Sequence, residues 1–238
     1  MAKTAEMKII AHIDTEFPEK FGIPRQSGLA ETRATVVFEP EYRNPDALRG
    51  LEDYTHIWLL WQFSGALRAD WSPTVRPPRL GGNARMGVFA TRSPFRPSPI
   101  GLSSVRLCGV QLQSAHGPLL HVAGADLMDK TPILDIKPYL AYTDSHPNAS
   151  AGFSCAPGEG RLSVVFPEKM LEAVPPEHRE ALCEVLAQDP RPAYQDMPER
   201  VYGLSFAGME IRFSVASGRL TVLHVRLASE RDGDGGRM

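Results

Sequence analysis

Between Trp71 and Ala125 the chain contains no Asp or Glu, although the same stretch carries Arg76, Arg79, Arg85, Arg92, Arg96 and Arg106. A patch of one sign, built from arginine and free of lysine, suits planar recognition of phosphate, carboxylate or base edges. The bland alternative is that acids elsewhere, such as the nearby Glu52 and Asp53, neutralise it. The formal net charge of -2 over 238 residues argues against a wholly basic nucleic-acid binder, so any such interface is local. Cysteine is also sparse. Cys108, Cys155 and Cys183 are scattered without C-x-x-C spacing, which argues against a disulfide framework or a zinc site, and no metal is expected. Long apolar runs are missing as well: residues 56–63 form the longest, far too short for a bilayer. The N-terminal residues carry no apolar run followed by a small-residue cleavage site, so a cytoplasmic location with no membrane partner is expected.

With 42% apolar and 23% charged residues the chain can bury a substantial core. Strand signals are short, β-branched or aromatic, and fall at residues 7–13, 34–38, 56–63, 86–90, 103–113 and 119–125. Twenty Gly and twenty-one Pro residues favour tight connections over long helices. The expected fold is mainly β: an antiparallel β-barrel N-terminal domain over residues 1–150 with a small α+β C-terminal domain over 161–228. Residues 151–160, within a Ser-, Ala-, Pro- and Gly-rich loop, are taken as a linker, and the charged, Gly-rich residues 229–238 as a disordered tail. In the C-terminal part a helical pattern over 167–188 is interrupted by Pro175-Pro176. Strands follow over 201–206, 209–215 and 220–227, joined by turns at Ala207-Gly208 and Ser217-Gly218.

The informative segment is Gly-Val-Phe-Ala-Thr-Arg-Ser-Pro-Phe-Arg-Pro-Ser-Pro-Ile-Gly, residues 87–101. A buried strand over 87–90 is expected to run into a loop whose Pro94, Pro97 and Pro99 stiffen the backbone from which Arg92 and Arg96 project. Stiffening lowers the entropy lost when those arginines engage a ligand. Gly101 would permit close approach of a ligand or another strand. A rigid crossover whose arginines only hydrogen-bond loop carbonyls is the competing explanation.

This segment resembles the signature of the TrmO (YaeB) family of β-barrel tRNA methyltransferases. The resemblance extends, in fixed order, through residues 20–29 (Lys-Phe-Gly-Ile-Pro-Arg-Gln-Ser-Gly-Leu), 48–58, 126–140 (beginning Asp-Leu-Met-Asp-Lys-Thr-Pro) and 186–194 (Leu-Ala-Gln-Asp-Pro-Arg-Pro-Ala-Tyr). It implies S-adenosylmethionine as cofactor, the anticodon loop of tRNA as partner and a homodimer with its pocket near or across the subunit interface. The implied reaction converts N6-threonylcarbamoyladenosine at tRNA position 37 to its N6-methyl derivative. No G-x-G-x-x-G fingerprint follows a first strand, so a Rossmann-type methyltransferase has no support.

Carried over by matched position, the resemblance implies cofactor contacts at Gln26, Ser27, Gly28, Leu29, Ser64, Gly65, Arg92, Leu102, Ala123, Gly124, Ala125 and Asp126. The acylated N6 of the implied substrate is poorly nucleophilic and its proton relatively acidic, which makes a base useful; the candidates are Asp126, Asp135, Lys137 and Tyr139. Lys137 could also hold the substrate or polarise its carbamoyl oxygen. Against these roles, Asp126 and Asp129 could cap a turn and Asp135 could pair with Lys137. Arg25, Arg76, Arg79, Arg96, Arg191 and Tyr194 are the candidate tRNA contacts. His56, Trp58 and Trp61 read mainly as structural, although either tryptophan could stack a base. Three positions depart from the family pattern: Ser98 for Asn, Ser64-Gly65 for His-Gln, and Lys130 for Gly. A noncatalytic RNA-binding or regulatory module with a degenerate cofactor pocket, or a binder of a small anionic metabolite, remain alternatives.

Overall fold

The computed structural model describes residues 5–68, 70–77, 80, 83–153, 161–191, 197 and 199–228. Its strands and helices are, in chain order, β1 (Ala11–Thr15), β2 (Arg33–Phe38), β3 (His56–Gln62), β4 (Thr74–Val75), β5 (Met86–Gly87), β6 (Ile100–Gln111), β7 (Leu119–Ala123), β8 (Thr131–Pro138), α1 (Ala141–Asp144), β9 (Ser163–Val165), α2 (Glu168–Glu172), α3 (Pro176–Ala187), β10 (Tyr202–Phe206), β11 (Met209–Ala216) and β12 (Arg219–Leu227). Six of the strands close into an antiparallel barrel in the order β1-β2-β7-β6-β3-β8. Alternation decides which side chains fill it. On β3, Ile57, Leu59 and Trp61 point inward and are buried, whereas His56, Trp58 and Leu60 lie on the outer wall. Ile13, Val36, Val105, Leu120 and Ile133 join them from the other strands, each removing apolar surface worth about 1.5–3 kcal/mol from water.

The strand that closes the barrel, β8, had been read only as a motif. Its two prolines and alternating Asp135 and Lys137 mask its strand character, which register with β3 and β1 supplies. The expected buried strand over 87–90 is not there. Only Met86 and Gly87 pair, with Thr74 and Val75, and Val88–Ala90 form a 3-10 turn in which Val88 alone is buried. The turn closes when Thr91 donates both its N–H and its hydroxyl to the Val88 carbonyl.

The C-terminal unit is a four-stranded sheet, β10-β11-β12-β9, covered by α3. Its hairpin turns are two-residue loops with both residues left-handed: Ala207 and Gly208 at φ 49° and 72°, Ser217 and Gly218 at 50° and 73°. That geometry matches the twist of the flanking strands. Pro175-Pro176 breaks the helical stretch as expected, Pro176 opening α3 where its missing N–H costs nothing. The segment after β1 packs into this unit. Phe17 meets Phe206 edge-on at 5.4 Å, and Gly22, at φ 90°, leaves no room for a Cβ, which would lie 2.1 Å from Leu204 Cδ1. The barrel and the C-terminal unit therefore hold residues 16–31 between them. No described helix is long and apolar enough to cross a membrane.

Candidate cofactor and substrate site

At the end of the barrel where Trp61 sits, four segments converge. The indole N–H of Trp61 donates to Ser103 Oγ at 2.9 Å, and the Ser103 hydroxyl donates to the Asp126 carboxylate at 2.5 Å. Gly101 is required here because the Trp61 ring lies over it, with only 2.2 Å between Cε2 and any added Cβ. The close approach expected at Gly101 is thus made by a core ring rather than by a ligand. Asp126 follows β7 and is half-buried. Burial raises its carboxyl above the ordinary carboxylate range, opposed by Ser103, its own backbone N–H, the Arg92 guanidinium and the backbone N–H of Ser27. Arg92, exposed, donates through Nη1 to Gln26 Oε1, and the Gln26 amide donates in turn to the Arg25 carbonyl.

Gly28 and Gly124 bring the two loops together. Both are left-handed, at φ 74° and 80°, and the Gly28 N–H donates to the Gly124 carbonyl at 2.9 Å. A Cβ on Gly124 would lie 3.2 Å from Gly28 Cα, a tight contact at a backbone conformation that favours glycine, whereas Gly28 faces open space. Gln26, Ser27, Gly28, Arg92, Gly124 and Asp126 consequently form one constellation, with Leu29, Ala123 and Ala125 beside it. It offers a guanidinium, a half-buried carboxylate and closely packed backbone, a donor set suited to a zwitterionic amino-acid group that also carries a cation.

The other candidates lie elsewhere in the protomer. Ser64 and Gly65 occupy an exposed 3-10 turn whose Gly65 carbonyl accepts from Lys20 Nζ at 2.8 Å. Leu102 is on the outer wall and 54% exposed, opposite Leu60, which is itself opposite Asp135. Lys137 pairs with Asp135 at 2.8 Å on the same wall, as the bland alternative held, and Tyr139 packs against Trp58 at 5.4 Å. Asp135, Lys137 and Tyr139 do not converge with Asp126 within the chain, because residues 135 and 137 take the outward phase of β8. Asp129 ties its loop to the end of β1, its carboxylate accepting the Thr15 N–H at 3.0 Å, while the turn before Thr131 closes through the Met128 carbonyl.

The arginines also divide. Arg76 is exposed, while Arg79 and Tyr194 lie outside the described residues. Arg96 is half-buried and donates to the Thr91 carbonyl at 3.1 Å, which is the structural role that competed with RNA binding. Arg191 is likewise engaged within the chain. Its side chain is only 10% exposed, pairs through two hydrogen bonds with Asp189 at 2.8 and 2.9 Å, and lies beside the Tyr202 ring. It organises its own loop instead of facing solvent. Arg25 is exposed, with its guanidinium 3.5 Å from the Asp189 carbonyl. Both tryptophans of β3 are structural: Trp61 through Ser103, and Trp58 through a 2.8 Å bond to Asp144.

Ser103 escaped notice in the sequence, where its only signal is a small polar residue at an inward phase of an apolar strand. Glu184 of α3 and Gln188 at its C-terminal end were also missed. The Glu184 carboxylate accepts the Glu31 N–H at 2.7 Å and Gln188 donates to the Leu29 carbonyl at 3.0 Å, so the C-terminal unit grips the loop that forms the site. A larger cavity, about 710 Å³, lies between the outer wall of the barrel and α3. Asp14, Glu16, Glu31, Glu177 and Glu180 line it beside Arg33 and Arg106, with Glu16 paired to His178 at 2.6 Å and Glu31 to Arg106, an excess of acids that suits an anionic ligand poorly. Among the described residues no group of three or more His, Cys, Asp or Glu is placed to hold a metal ion.

Comparison with known proteins agrees with this architecture. Residues 12–145 match the tRNA-methyltransferase O N-terminal domain and residues 159–228 the TrmO C-terminal domain. The chain is 41% identical over 222 residues to a tRNA (adenine(37)-N6)-methyltransferase of Escherichia coli (strain K12), covering 90% of this chain and 94% of that one. It is 42% identical over 220 residues to a putative S-adenosylmethionine-dependent methyltransferase of Pseudomonas aeruginosa, covering 88% and 92%. The crystal structure of TrmO from Pseudomonas aeruginosa superposes with a TM-score of 0.76 at 33% identity, over 94% of this chain and all of that one. Matched along both of its structural units, the chain belongs to the tRNA-methyltransferase O family.

Proposed function

We propose that this protein is an S-adenosylmethionine-dependent tRNA methyltransferase that methylates N6 of adenosine 37, and that its acceptor is N6-threonylcarbamoyladenosine. The observation that carries the reading is the convergence of Arg92, Gln26 and Asp126 on the Gly28–Gly124 seam. Family membership and the activities named for the relatives point the same way.

When bound, S-adenosylmethionine supplies a methyl group on a cationic sulfonium. Arg92 would hold its carboxylate, exchanging the Gln26 amide oxygen for a stronger charge-assisted partner. Backbone around Gly28 and Gly124 would approach closely, since no side chain intervenes. Asp126 is the candidate best placed to take the acidified N6 proton: burial has already raised its proton affinity, and Ser103 fixes its orientation. Positioning of the acceptor in line with the methyl group would supply much of the remaining rate.

The same reading places the protein in the cytoplasm with tRNA, as a homodimer. Exposed Ile100 and Leu102 on the outer wall, beside Leu60, form an apolar surface suited to a second copy. Such contact would put Asp135, Lys137 and Tyr139 near the interface. The barrel domain is assigned to residues 1–150, the linker to 151–160, the C-terminal domain to 161–228 and the tail to 229–238.

The test is incubation with S-adenosylmethionine and tRNA carrying threonylcarbamoyladenosine, followed by nucleoside mass spectrometry. One added methyl on that nucleoside, lost in Arg92→Ala, is the expected result. Methylation of unmodified adenosine 37 instead would overturn the acceptor while keeping the enzyme. Absence of any transfer by folded, tRNA-binding protein would favour the noncatalytic module.

A further inference from the structure

The excursion between β3 and β6 exposes three large rings that neither core uses. Trp71 is 51% exposed, Phe89 72% and Phe95 39%. Trp71 and Phe89 lie 6.2 Å apart, tilted by 31°. Trp71 and Phe95 line one open cavity of about 130 Å³, and the Arg68 guanidinium sits 3.9 Å above the Phe95 ring. The backbone holds this set in place: Val88 N–H donates to the Pro73 carbonyl at 3.0 Å, and β4 pairs with β5 immediately beyond. Exposed Arg76 and Arg85 flank the far end of that two-stranded ribbon.

Exposed aromatics on a folded surface leave apolar area in water and call for an occupant. The surroundings select its chemistry. Asp70 is the single carboxylate in the cavity wall, against Arg68 and Arg96, and the sequence has no acid from Trp71 to Ala125. Flat rings interleaved with guanidinium groups match unpaired nucleotides, whose bases stack and whose phosphates pair with arginine. A protein surface without acidic groups would gain nothing from the positive field. The patch also adjoins the candidate site in the chain: Phe89 and Phe95 bracket Arg92, and Arg96 is tied to the Thr91 carbonyl.

We propose that Trp71, Phe89 and Phe95, with Arg68, form a stacking platform for unpaired nucleotides flanking the one to be modified in an RNA loop. The inference rests on the tRNA reading above and adds to it the residues that grip the loop. Trp61 does not serve because it is buried in the barrel, and Trp58 packs against Tyr139.

The experiment measures binding of an anticodon stem–loop RNA to the full-length protein by fluorescence anisotropy, beside a fully paired RNA duplex with the same number of nucleotides. Trp71→Ala and Phe89→Ala are each expected to weaken stem–loop binding by about 5- to 100-fold. Trp71→Phe, which keeps a stacking ring, should stay within about threefold of the parent. Duplex binding and S-adenosylmethionine affinity should not change. Stem–loop affinity within about twofold of the parent in both alanine variants, while the parent binds normally, overturns the platform and leaves the tRNA reading standing. An equal loss on the stem–loop and the paired duplex would mean that the rings support RNA binding without regard to unpaired bases, and also overturns it. Burial of Trp71 by self-association, seen as an emission shift with protein concentration alone, assigns the surface to a second copy. A parent protein that binds no RNA overturns both readings together.

Discussion

Replacing Ser103 by Ala removes one hydroxyl that serves two partners. In the folded protein Ser103 Oγ accepts from the buried Trp61 indole and donates to Asp126, and Ser103 itself is 1% exposed. The substitution leaves the indole N–H without its partner in a dry interior, at a cost of about 1–3 kcal/mol. It also deletes a hydrogen bond to a charged acceptor, worth about 1.5–3 kcal/mol. Part of the second loss is recovered because Asp126 can take a proton, so the expected net destabilisation is about 2–4 kcal/mol in urea unfolding. Ser104→Ala supplies the internal control: the neighbouring serine faces the outer wall, and a change within about 0.5 kcal/mol is expected. A second readout separates the catalytic reading from the structural one. Ser103 lowers the Asp126 pKa, so its removal raises that pKa further, and the acidic limb of the kcat/KM profile should move to higher pH. Loss of stability with an unmoved acidic limb would refute Asp126 as a group that must be ionised for turnover. No loss of stability would refute the Trp61–Ser103–Asp126 connection itself.

Arg92→Ala should lower kcat/KM by about 10- to 100-fold, mainly through a raised KM for S-adenosylmethionine, with Arg92→Lys intermediate; steady-state kinetics checks this, and an unchanged KM would count against the carboxylate contact. Glu16 is buried against His178 and accepts the Arg33 N–H, and burial raises its pKa above the ordinary carboxylate range. The stability it contributes is therefore complete below that range and is lost as pH rises through its folded pKa. Glu16→Gln keeps an acceptor for the Arg33 N–H, so its urea midpoint relative to the parent should rise from about pH 4 towards neutral; a falling difference would reverse the assigned sign. Lys130 sits at φ 61°, a left-handed conformation that favours glycine, and its ammonium pairs with Asp14 at 2.5 Å on the surface. Relief of the left-handed conformation, about 1–2 kcal/mol, should outweigh an exposed ion pair of about 0–1 kcal/mol. Lys130→Gly is accordingly expected to raise the thermal midpoint slightly, and a lowered midpoint would show that the ion pair dominates.

Much of the fold was legible because its signals are local. The alternation in 34–38, 56–63 and 209–215, the Pro-Pro break before α3, and the Ala-Gly and Ser-Gly turns each follow from a few neighbouring side chains. β8 was not legible because prolines and charges disguise it until neighbours on both sides supply its ladder. Residues 87–90 failed in the opposite direction. Val88 and Phe89 have strand propensity, yet the chain turns after Gly87 and leaves Phe89 in solvent.

The site divides along the same line. From residue types and motif order alone came the barrel class, the family resemblance, the acid-free arginine stretch and the candidate set around Arg92 and Asp126. Only the tertiary structure decided which of those candidates share a place. It joined Gln26, Gly28, Arg92, Gly124 and Asp126 through loop contacts, recruited Ser103 from an inward strand position, turned Arg191 into its own loop, and put Asp135, Lys137 and Leu102 on the outer wall. The physical reason is the pairing register. A strand sends alternate side chains to opposite faces, so burial and partnership depend on neighbours far along the chain, which chemical identity at a single position cannot specify.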